Sequence, residues 1–275
     1  AAHSTATADG NRHCRSRARL WRLRDRPVET WSVKPFLLLA SRAEDTAAED
    51  EYRAYLRYCG LQPEQLHRIR MEAAPLPELE LSDYSGVIVG GSPFTSSDPA
   101  EHKSATQHRV ERELAGLLDR IVAEDFPFLG ACYGVGTLGL HQGAVIDRTY
   151  GEGLGGVTIK LTAEGLQDPL LRGLPESFTA FTGHKEACTV LPSHAVLLAS
   201  SAACPVHMVR IKTHLYATQF HPELDAEGLV TRIDIYRHAG YFPPESAEML
   251  MADARQFTAT EPMKILRNFV QRYAR

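Results

Sequence analysis

Cysteine is scarce in this 275-residue chain, and no two cysteines form a C-x-x-C pair. The five cysteines lie at positions 14, 59, 132, 188 and 204. An odd number at these spacings is not typical of a disulfide framework or of a zinc site. We therefore expect free thiols in a reducing compartment, a cytoplasmic location and no bound metal.

Long apolar runs are also missing from the sequence. The run at residues 36–40 is far shorter than the ~20 apolar residues that a membrane-spanning helix needs. An apolar content of 44% and a charged content of 23% are ordinary for a globular protein with a buried core. We expect no membrane partner.

Positive charge is concentrated in residues 1–34, which hold eight of the 30 Lys and Arg but three of the 34 Asp and Glu. The rest of the chain is therefore acidic, which argues against nucleic-acid binding by its folded part. Residues 1–34 contain no apolar stripe and no apolar segment typical of a secretory signal. We predict a disordered Arg-rich extension there; a tail that binds nucleic acid or a membrane surface is the alternative.

Strand and helix patterns alternate from residue 35 onward. Helical spacing of apolar or helix-forming residues predicts helices over 45–58, ending at Gly60, and over 109–124. Mostly apolar runs predict buried strands over 36–40, 84–89 and 126–131, and residues 66–71 are a further candidate for a short strand. This alternation is typical of a doubly wound α/β fold, in which helices flank a mostly parallel sheet.

The second half of the sequence has a different pattern. Residues 144–220 contain several short strand patterns separated by turns, so we expect extra strands with some antiparallel pairing. Residues 226–275 return to helical patterns and form a predicted helical tail with a break at 240–244. We predict a single domain over residues 35–275.

A cysteine follows directly after one predicted buried strand. Gly130 and Gly134 flank Cys132 at −2 and +2, and small neighbours permit a sharp strand-to-helix turn. Such a turn places a thiol at a helix N-terminus, where the helix dipole favours the nucleophilic thiolate. A buried structural cysteine at a tight turn is the alternative interpretation.

A histidine with a nearby carboxylate follows a later strand. His221 is expected at the carboxyl edge of the sheet, where open α/β folds place their sites. Glu223 follows two residues later and is suited to orient the imidazole. Considered alone, this His-Pro-Glu sequence is also compatible with a structural histidine.

Two consecutive glycines end another predicted strand. Gly90 and Gly91 allow backbone N–H groups to face a ligand, and a developing oxyanion needs two such donors. The N–H groups of Gly91 and Tyr133 are the natural pair. An ordinary tight turn is the alternative, and no G-K-[ST] follows, so the loop is not a P-loop.

The three segments, in this order and spacing, resemble the class I glutamine amidotransferase family, which has a flavodoxin-like fold. The resemblance covers about residues 35–225 and is greatest to the glutaminase domain of GMP synthase, through Ala-Cys-Pro at 203–205 and Gly-His-Lys-Glu at 183–186. It implies that Cys132 attacks a glutamine side-chain amide, with His221 as base and then acid and Glu223 as its orienting partner. It also implies an oxyanion hole formed by Gly91 and Tyr133, and it implies no cofactor.

Substrate-binding positions show departures from the family pattern. The resemblance places Gly90, Gly136 and His184 at the substrate. Gly136 stands where the family usually has a glutamine, and Lys185 replaces a glycine of the usual Ser-His-Gly-Asp segment. Both differences leave the identity of the γ-glutamyl substrate open.

Three functions remain compatible with the sequence. The first is a glutaminase that releases glutamate and supplies ammonia to a separate synthetase subunit, because no Ser-Gly-Gly-x-Asp-Ser loop of an ATP pyrophosphatase follows the triad. The second is a stand-alone γ-glutamyl hydrolase or peptidase. The third is a non-catalytic regulatory protein on the same fold.

Overall fold

The structure, a computed structural model, describes residues 33–275, so the predicted extension over residues 1–34 falls almost wholly outside the described residues. The helices are α1 (Asp45–Cys59), α2 (Ala105–Glu124), α3 (Tyr133–His141), α4 (Ala163–Gln167), α5 (Ala226–Ile235), α6 (Ala247–Ala254) and α7 (Met263–Tyr273). The strands are β1 (Phe36–Ala40), β2 (Leu66–Arg70), β3 (Gly86–Val89), β4 (Phe128–Ala131), β5 (Val145–Asp147), β6 (Glu152–Leu161), β7 (Ser177–His184), β8 (Ala187–Val190), β9 (Ala195–Ser200), β10 (Met208–Ile211) and β11 (Leu215–Thr218).

Nine of these strands form one sheet in the order β2-β1-β3-β4-β11-β10-β9-β6-β7. The first five are parallel to one another, and β10, β9, β6 and β7 extend the sheet by antiparallel pairing. The parallel part brings the carboxyl ends of β3, β4 and β11 side by side. The residues that follow these three strands therefore meet at one edge of the sheet.

Alternate residues of the central strands pack into two different cores. One core contains Leu37, Leu39 and Val87 together with apolar residues of α2 and α3. The other contains Leu38 and Ile88 together with residues of α1 and α7. Because successive side chains of a strand point to opposite faces, helices cover both faces of the sheet. The predicted doubly wound α/β fold is confirmed.

The helix boundaries follow from local chemistry. α1 ends where Gly60 adopts a φ of 70°, a conformation in which glycine avoids the steric cost of a Cβ atom. α2 begins four residues earlier than predicted, after Ser104, whose side chain accepts a hydrogen bond from the Gln107 N–H. The sequence pattern therefore predicted where α1 and α2 lie, whereas the Ser104 cap determines the residue at which α2 begins.

The C-terminal segment packs against the antiparallel side of the sheet. Leu229 and Ile233 of α5 and Met251 of α6 share a core with Phe181 of β7. A separate two-stranded sheet joins β5 and β8, and its pairing had no clear sequence signal. Within residues 33–275, no helix has both the length and the apolar character to cross a membrane.

Candidate active site

Cys132 occupies the turn between β4 and α3 in a strained backbone conformation. Its φ and ψ are 52° and −82°, in a region that L-residues rarely adopt and that costs roughly 1–3 kcal/mol. A Cβ atom on Gly130 would lie 2.6 Å from the Cα of Gly134, so the close approach of strand and helix excludes a side chain there. The Cys132 N–H donates to the carbonyl of Thr218 at 2.7 Å and holds the turn against β11.

Cys132 and His221 line the same cleft at the carboxyl edge of the sheet. Nδ1 of His221 lies 2.9 Å from Oε1 of Glu223, which is completely buried. The His221 N–H donates to the Phe181 carbonyl at 3.0 Å, so β7 fixes the histidine backbone. A thiol and an imidazole thus share one cleft, and a buried carboxylate lies beside the imidazole.

A chain of buried charges lies behind the histidine. Arg42 Nε donates to Glu51 Oε1 at 2.9 Å, and Arg232 Nη2 lies 3.4 Å from the same oxygen. Arg232 also donates to Glu223 Oε1 at 3.0 Å, and its Nη1 lies 3.1 Å from Nδ1 of His221. The two arginines compensate two buried carboxylates, which would otherwise be costly to remove from water.

Burial of the Cys132 sulfur opposes its ionisation. It raises the pKa of the Cys132 thiol to about 12, although Arg42 opposes the shift. Burial and the helix dipole act on the Cys132 thiol in opposite directions, and the dipole-stabilised thiolate expected from the sequence stays a prediction. A thiol that stays protonated needs a base to take its proton as the sulfur attacks.

The histidine is kept neutral and the glutamate ionised. Burial lowers the pKa of His221, against the opposing effect of Glu223. Burial would raise the pKa of Glu223, but His221 and Arg232 hold it well below its usual range. A neutral imidazole beside a carboxylate is the state that general-base chemistry requires.

The paired glycines lie beside these side chains but face different neighbours. The Gly90 N–H donates to the Leu39 carbonyl at 3.0 Å, so it belongs to the sheet. A Cβ atom on Gly91 would lie 2.6 Å from His221 Cε1 and 2.8 Å from Arg42 Nη2. Tyr133 is the first residue of α3, where backbone N–H groups have no partner within the helix.

The predicted substrate-binding residues have dissimilar surroundings. A Cβ atom on Gly136 would clash with Ser96 Oγ and lie 2.9 Å from Glu186 Oε1, so other groups fill the space of the family glutamine. Glu186 in turn accepts from the Ser96 N–H at 2.8 Å. His184 has a nearly buried side chain, with Nδ1 2.8 Å from the Glu186 carbonyl and Nε2 2.9 Å from Glu152. A substrate would have to displace one of these contacts to reach the imidazole.

Several cleft residues carry no sequence motif. Arg42 follows β1 at the same sheet edge, a position that could have been flagged because sites collect there. Tyr236 and Tyr241 come from the C-terminal segment, and Lys185 Nζ lies 4.2 Å from the centre of the Tyr241 ring. Nothing in the helical spacing of that segment indicated that it lines the cleft.

The fold and the cleft together define an α/β protein with a Cys-His-Glu arrangement at the carboxyl edge of a parallel sheet. Residues 51–229 match the sequence model of the family described as glutamine amidotransferase class-I. The chain therefore belongs to the class I glutamine amidotransferase family, whose members hydrolyse glutamine with a cysteine.

Two similar proteins are named as subunits of a GMP synthase. The chain is 30% identical over 140 residues to a glutamine-hydrolysing GMP synthase subunit from Methanoculleus marisnigri, covering 50% of this chain and 65% of that protein. It is 33% identical over 114 residues to the subunit of the same name from Thermoplasma volcanium, covering 41% of this chain and 55% of that protein. The chain thus spans less than two thirds of these relatives.

Solved structures support the fold assignment. A glutamine amidotransferase from Thermotoga maritima superimposes with a TM-score of 0.69 at 19% identity, covering 87% of this chain and 98% of that chain. A glutamine amido transferase from Methylobacillus flagellatus gives a TM-score of 0.63 at 16% identity, covering 89% and 97%. At these identities the likeness concerns the fold alone.

Proposed function

We propose that this protein hydrolyses the side-chain amide of glutamine through a thioester on Cys132. The observation that carries the proposal is the strained elbow at Cys132, which shares a cleft with His221 while Glu223 lies 2.9 Å from Nδ1 of that histidine. Backbone strain persists where the surrounding structure enforces it, and it is concentrated at functional sites.

In the first half-reaction the sulfur of Cys132 bonds to the amide carbon while the thiol proton passes to Nε2 of His221. Because burial raises the pKa of the Cys132 thiol, the proposed reaction couples proton transfer to the attack of the sulfur. The oxyanion accepts hydrogen bonds from the N–H groups of Gly91 and Tyr133. His221 then gives the proton to the amide nitrogen as the C–N bond breaks. Ammonia departs, and Cys132 is left as a γ-glutamyl thioester.

In the second half-reaction water replaces ammonia as the reacting group. His221 takes a proton from water as the oxygen bonds to the thioester carbon, and the same proton returns to the sulfur as the C–S bond breaks. Glutamate is released and the thiol is restored. Glu223 holds the imidazole so that Nε2 carries the lone pair throughout.

The ammonia is proposed to serve a separate synthetase chain. The relatives that support this are named as one subunit of a glutamine-hydrolysing GMP synthase, and such a name implies a second, partner chain. A partner-dependent glutaminase is expected to be slow alone and to be accelerated when the synthetase binds.

The direct test measures glutamate and ammonia release from glutamine by the purified protein and by Cys132→Ala. We expect measurable release that falls by at least about 10³-fold in the variant, as when the nucleophile of a triad is removed. Cys59→Ala is the control, because Cys59 is a buried thiol in α1. Equal release by the protein and by Cys132→Ala would overturn the proposal.

A stand-alone γ-glutamyl hydrolase is the second candidate function. The contacts of Gly136 favour it, because Ser96 and Glu186 occupy the space that a substrate-binding glutamine would need. A panel of γ-glutamyl peptides and amides, compared with glutamine at equal concentration, distinguishes the two. A kcat/KM at least tenfold higher for a γ-glutamyl peptide would favour the second candidate.

A further inference from the structure

Four potential metal ligands meet outside the triad. They are Glu152 at the start of β6, His184 at the end of β7, and Cys204 and His207 in the loop between β9 and β10. One ligand atom from each lies within 4.8 Å of the ligand atoms of the other three. Cys204 and His207 are three residues apart, but Glu152 and His184 lie far from them and from each other along the chain. The sequence therefore shows no complete short zinc motif, which is why no metal is expected from it.

The spacing of these atoms fits a four-coordinate metal site. Oε2 of Glu152 lies 2.9 Å from Nε2 of His184 and 2.9 Å from Nε2 of His207. Ligand atoms around zinc, at bond lengths of 2.0–2.3 Å, stand about 3.3–3.8 Å apart in a tetrahedron. Shifts of less than about 1 Å would therefore bring all four atoms to bonding distance.

His207 has buried polar atoms without hydrogen-bond partners among the described residues. The side chain of His207 is completely buried, and neither ring nitrogen makes a well-aligned hydrogen bond to any described residue. The 2.9 Å approach of its Nε2 to Glu152 therefore lacks hydrogen-bond alignment. A buried polar group of this kind needs an explanation such as an ion.

The surrounding contacts are those expected around metal ligands. Nδ1 of His184 lies 2.8 Å from the Glu186 carbonyl, which fixes the tautomer that leaves Nε2 free to bind a metal. Glu152 Oε1 accepts from the Ser201 hydroxyl at 3.1 Å. Such outer contacts orient imidazole and carboxylate ligands in metal sites.

The charges also balance. A carboxylate from Glu152 and a thiolate from Cys204 together neutralise a dication, and two neutral imidazoles complete the set. A buried dication without such anions would be costly. A set of four ligands that mixes thiolate, imidazole and carboxylate suits Zn²⁺ better than Mg²⁺ or Ca²⁺, which prefer oxygen ligands.

We propose that Glu152, His184, Cys204 and His207 form a zinc site that is structural, since four protein ligands leave no position for a reacting water. The site would fasten β6, β7 and the β9–β10 loop together, and its ligand His184 also lines a pocket that Cys132 lines. His207 connects it to the triad side, because its carbonyl accepts from the Gln219 N–H at 2.8 Å, two residues before His221.

Metal content is the primary test, and it does not depend on catalytic activity. We expect about one zinc per chain in protein purified without chelators or a metal-affinity tag, measured by elemental mass spectrometry. Cys204→Ala and Glu152→Gln should lose the zinc. Cys59→Ala, which removes another buried thiol at a distance from the cluster, should retain it.

Cobalt substitution provides a second readout. Wild-type protein and Cys59→Ala, stripped with a chelator and titrated with Co²⁺, should show a thiolate-to-cobalt charge-transfer band that Cys204→Ala lacks. Chelation should also lower Tm by at least about 5 °C, because a ligand that binds the native state stabilises it.

Two results would overturn the proposal. Wild-type protein with neither zinc nor a cobalt band would show a hydrogen-bonded cluster without metal. Zinc that survives in both Cys204→Ala and Glu152→Gln would show that the metal binds elsewhere in the chain. If Cys204→Ala fails to fold, the nearly isosteric Glu152→Gln decides.

Discussion

Nη1 of Arg232 lies 3.1 Å from Nδ1 of His221, the same nitrogen that lies 2.9 Å from Glu223 Oε1. A guanidinium can only donate a hydrogen bond and a carboxylate can only accept one. When the proton is on Nδ1, that nitrogen donates to Glu223 and Nε2 is free to act as the base. When the proton is on Nε2, Nδ1 accepts a hydrogen bond from Arg232 instead. Arg232 therefore opposes the tautomer that the proposed reaction needs.

Arg232→Gln should shift the pH dependence of glutamine hydrolysis. After burial and the opposing Glu223, Arg232 is a cause of the lowered pKa of His221, so removing its charge raises that pKa. Catalysis requires the neutral imidazole, which now persists only at higher pH. The acid limb of kcat/KM should therefore move to higher pH.

Arg237→Gln is the control for this shift. Arg237 pairs with Glu248 at the surface, and its loss should leave the acid limb in place. Both profiles are measured well below the Tm of each variant, because loss of Arg232 also weakens the compensation of two buried carboxylates. An acid limb that stays fixed or moves to lower pH in Arg232→Gln would refute the electrostatic role.

Two further charges should change the reactivity of Cys132 in opposite directions. After burial, Arg42 lowers the pKa of the thiol and Glu186 raises it. At a fixed pH near 8, Glu186→Gln should therefore increase the rate of alkylation by iodoacetamide, and Arg42→Gln should decrease it. We expect changes of roughly two- to tenfold, since one pKa unit changes the thiolate fraction tenfold.

Mass spectrometry of the Cys132 peptide follows this alkylation specifically. Glu248→Gln, at an exposed ion pair, should leave the rate unchanged. A common change in the same direction for Arg42→Gln and Glu186→Gln would indicate altered access to the cleft, and it would contradict the electrostatic explanation.

The central fold could be predicted because its signals are local. The run at residues 36–40 is apolar at every position, as a parallel strand covered on both faces must be, and Gly60 ends α1 because of its left-handed backbone. The pairing of β5 with β8 could not be predicted. Both strands are short, and their pairing depends on contacts between distant segments.

Some residues of the candidate site could be predicted from the sequence and others could not. Cys132, Gly91 and His221 each follow a parallel strand, so the sheet order alone brings them to one edge. Glu51 and Arg232 lie on helices, where charged residues usually face solvent, and their complete or nearly complete burial arises from tertiary packing. The C-terminal segment that supplies Arg232 lay beyond the residues that carried the resemblance.

Restoring the family side chain in Gly136→Gln should reduce activity. The new Cβ atom would meet Ser96 Oγ and lie 2.9 Å from Glu186 Oε1, so the segment at 95–97 would have to move. Overpacking of this kind costs roughly 1–3 kcal/mol of unfolding free energy. We expect a lower kcat/KM for glutamine together with a lower Tm.

Gly116→Gln makes the same substitution at a helical glycine with open space around its Cα, so its Tm should not fall. An increase in kcat/KM for glutamine in Gly136→Gln would contradict this account. It would show that the cleft accommodates the glutamine side chain introduced at position 136 and that Ser96 and Glu186 move aside at little cost.

Gly91→Ala tests the proposed oxyanion loop most directly. The added methyl carbon would lie 2.6 Å from His221 Cε1 and 2.8 Å from Arg42 Nη2, so the loop, the imidazole or both must shift. Loss of one aligned oxyanion donor lowers kcat by about 10²–10³-fold, and we expect a decrease of this size.

Gly116→Ala, in α2, is the control. Its new methyl carbon meets no atom within 4 Å, so the variant should keep full activity. Its Tm should rise by a few degrees, since alanine stabilises a helix by about 1 kcal/mol relative to glycine. Release of ammonia from glutamine, together with thermal unfolding, measures both effects. A Gly91→Ala variant with wild-type kcat would exclude Gly91 from the oxyanion hole, and the second donor would then have to come from a different group.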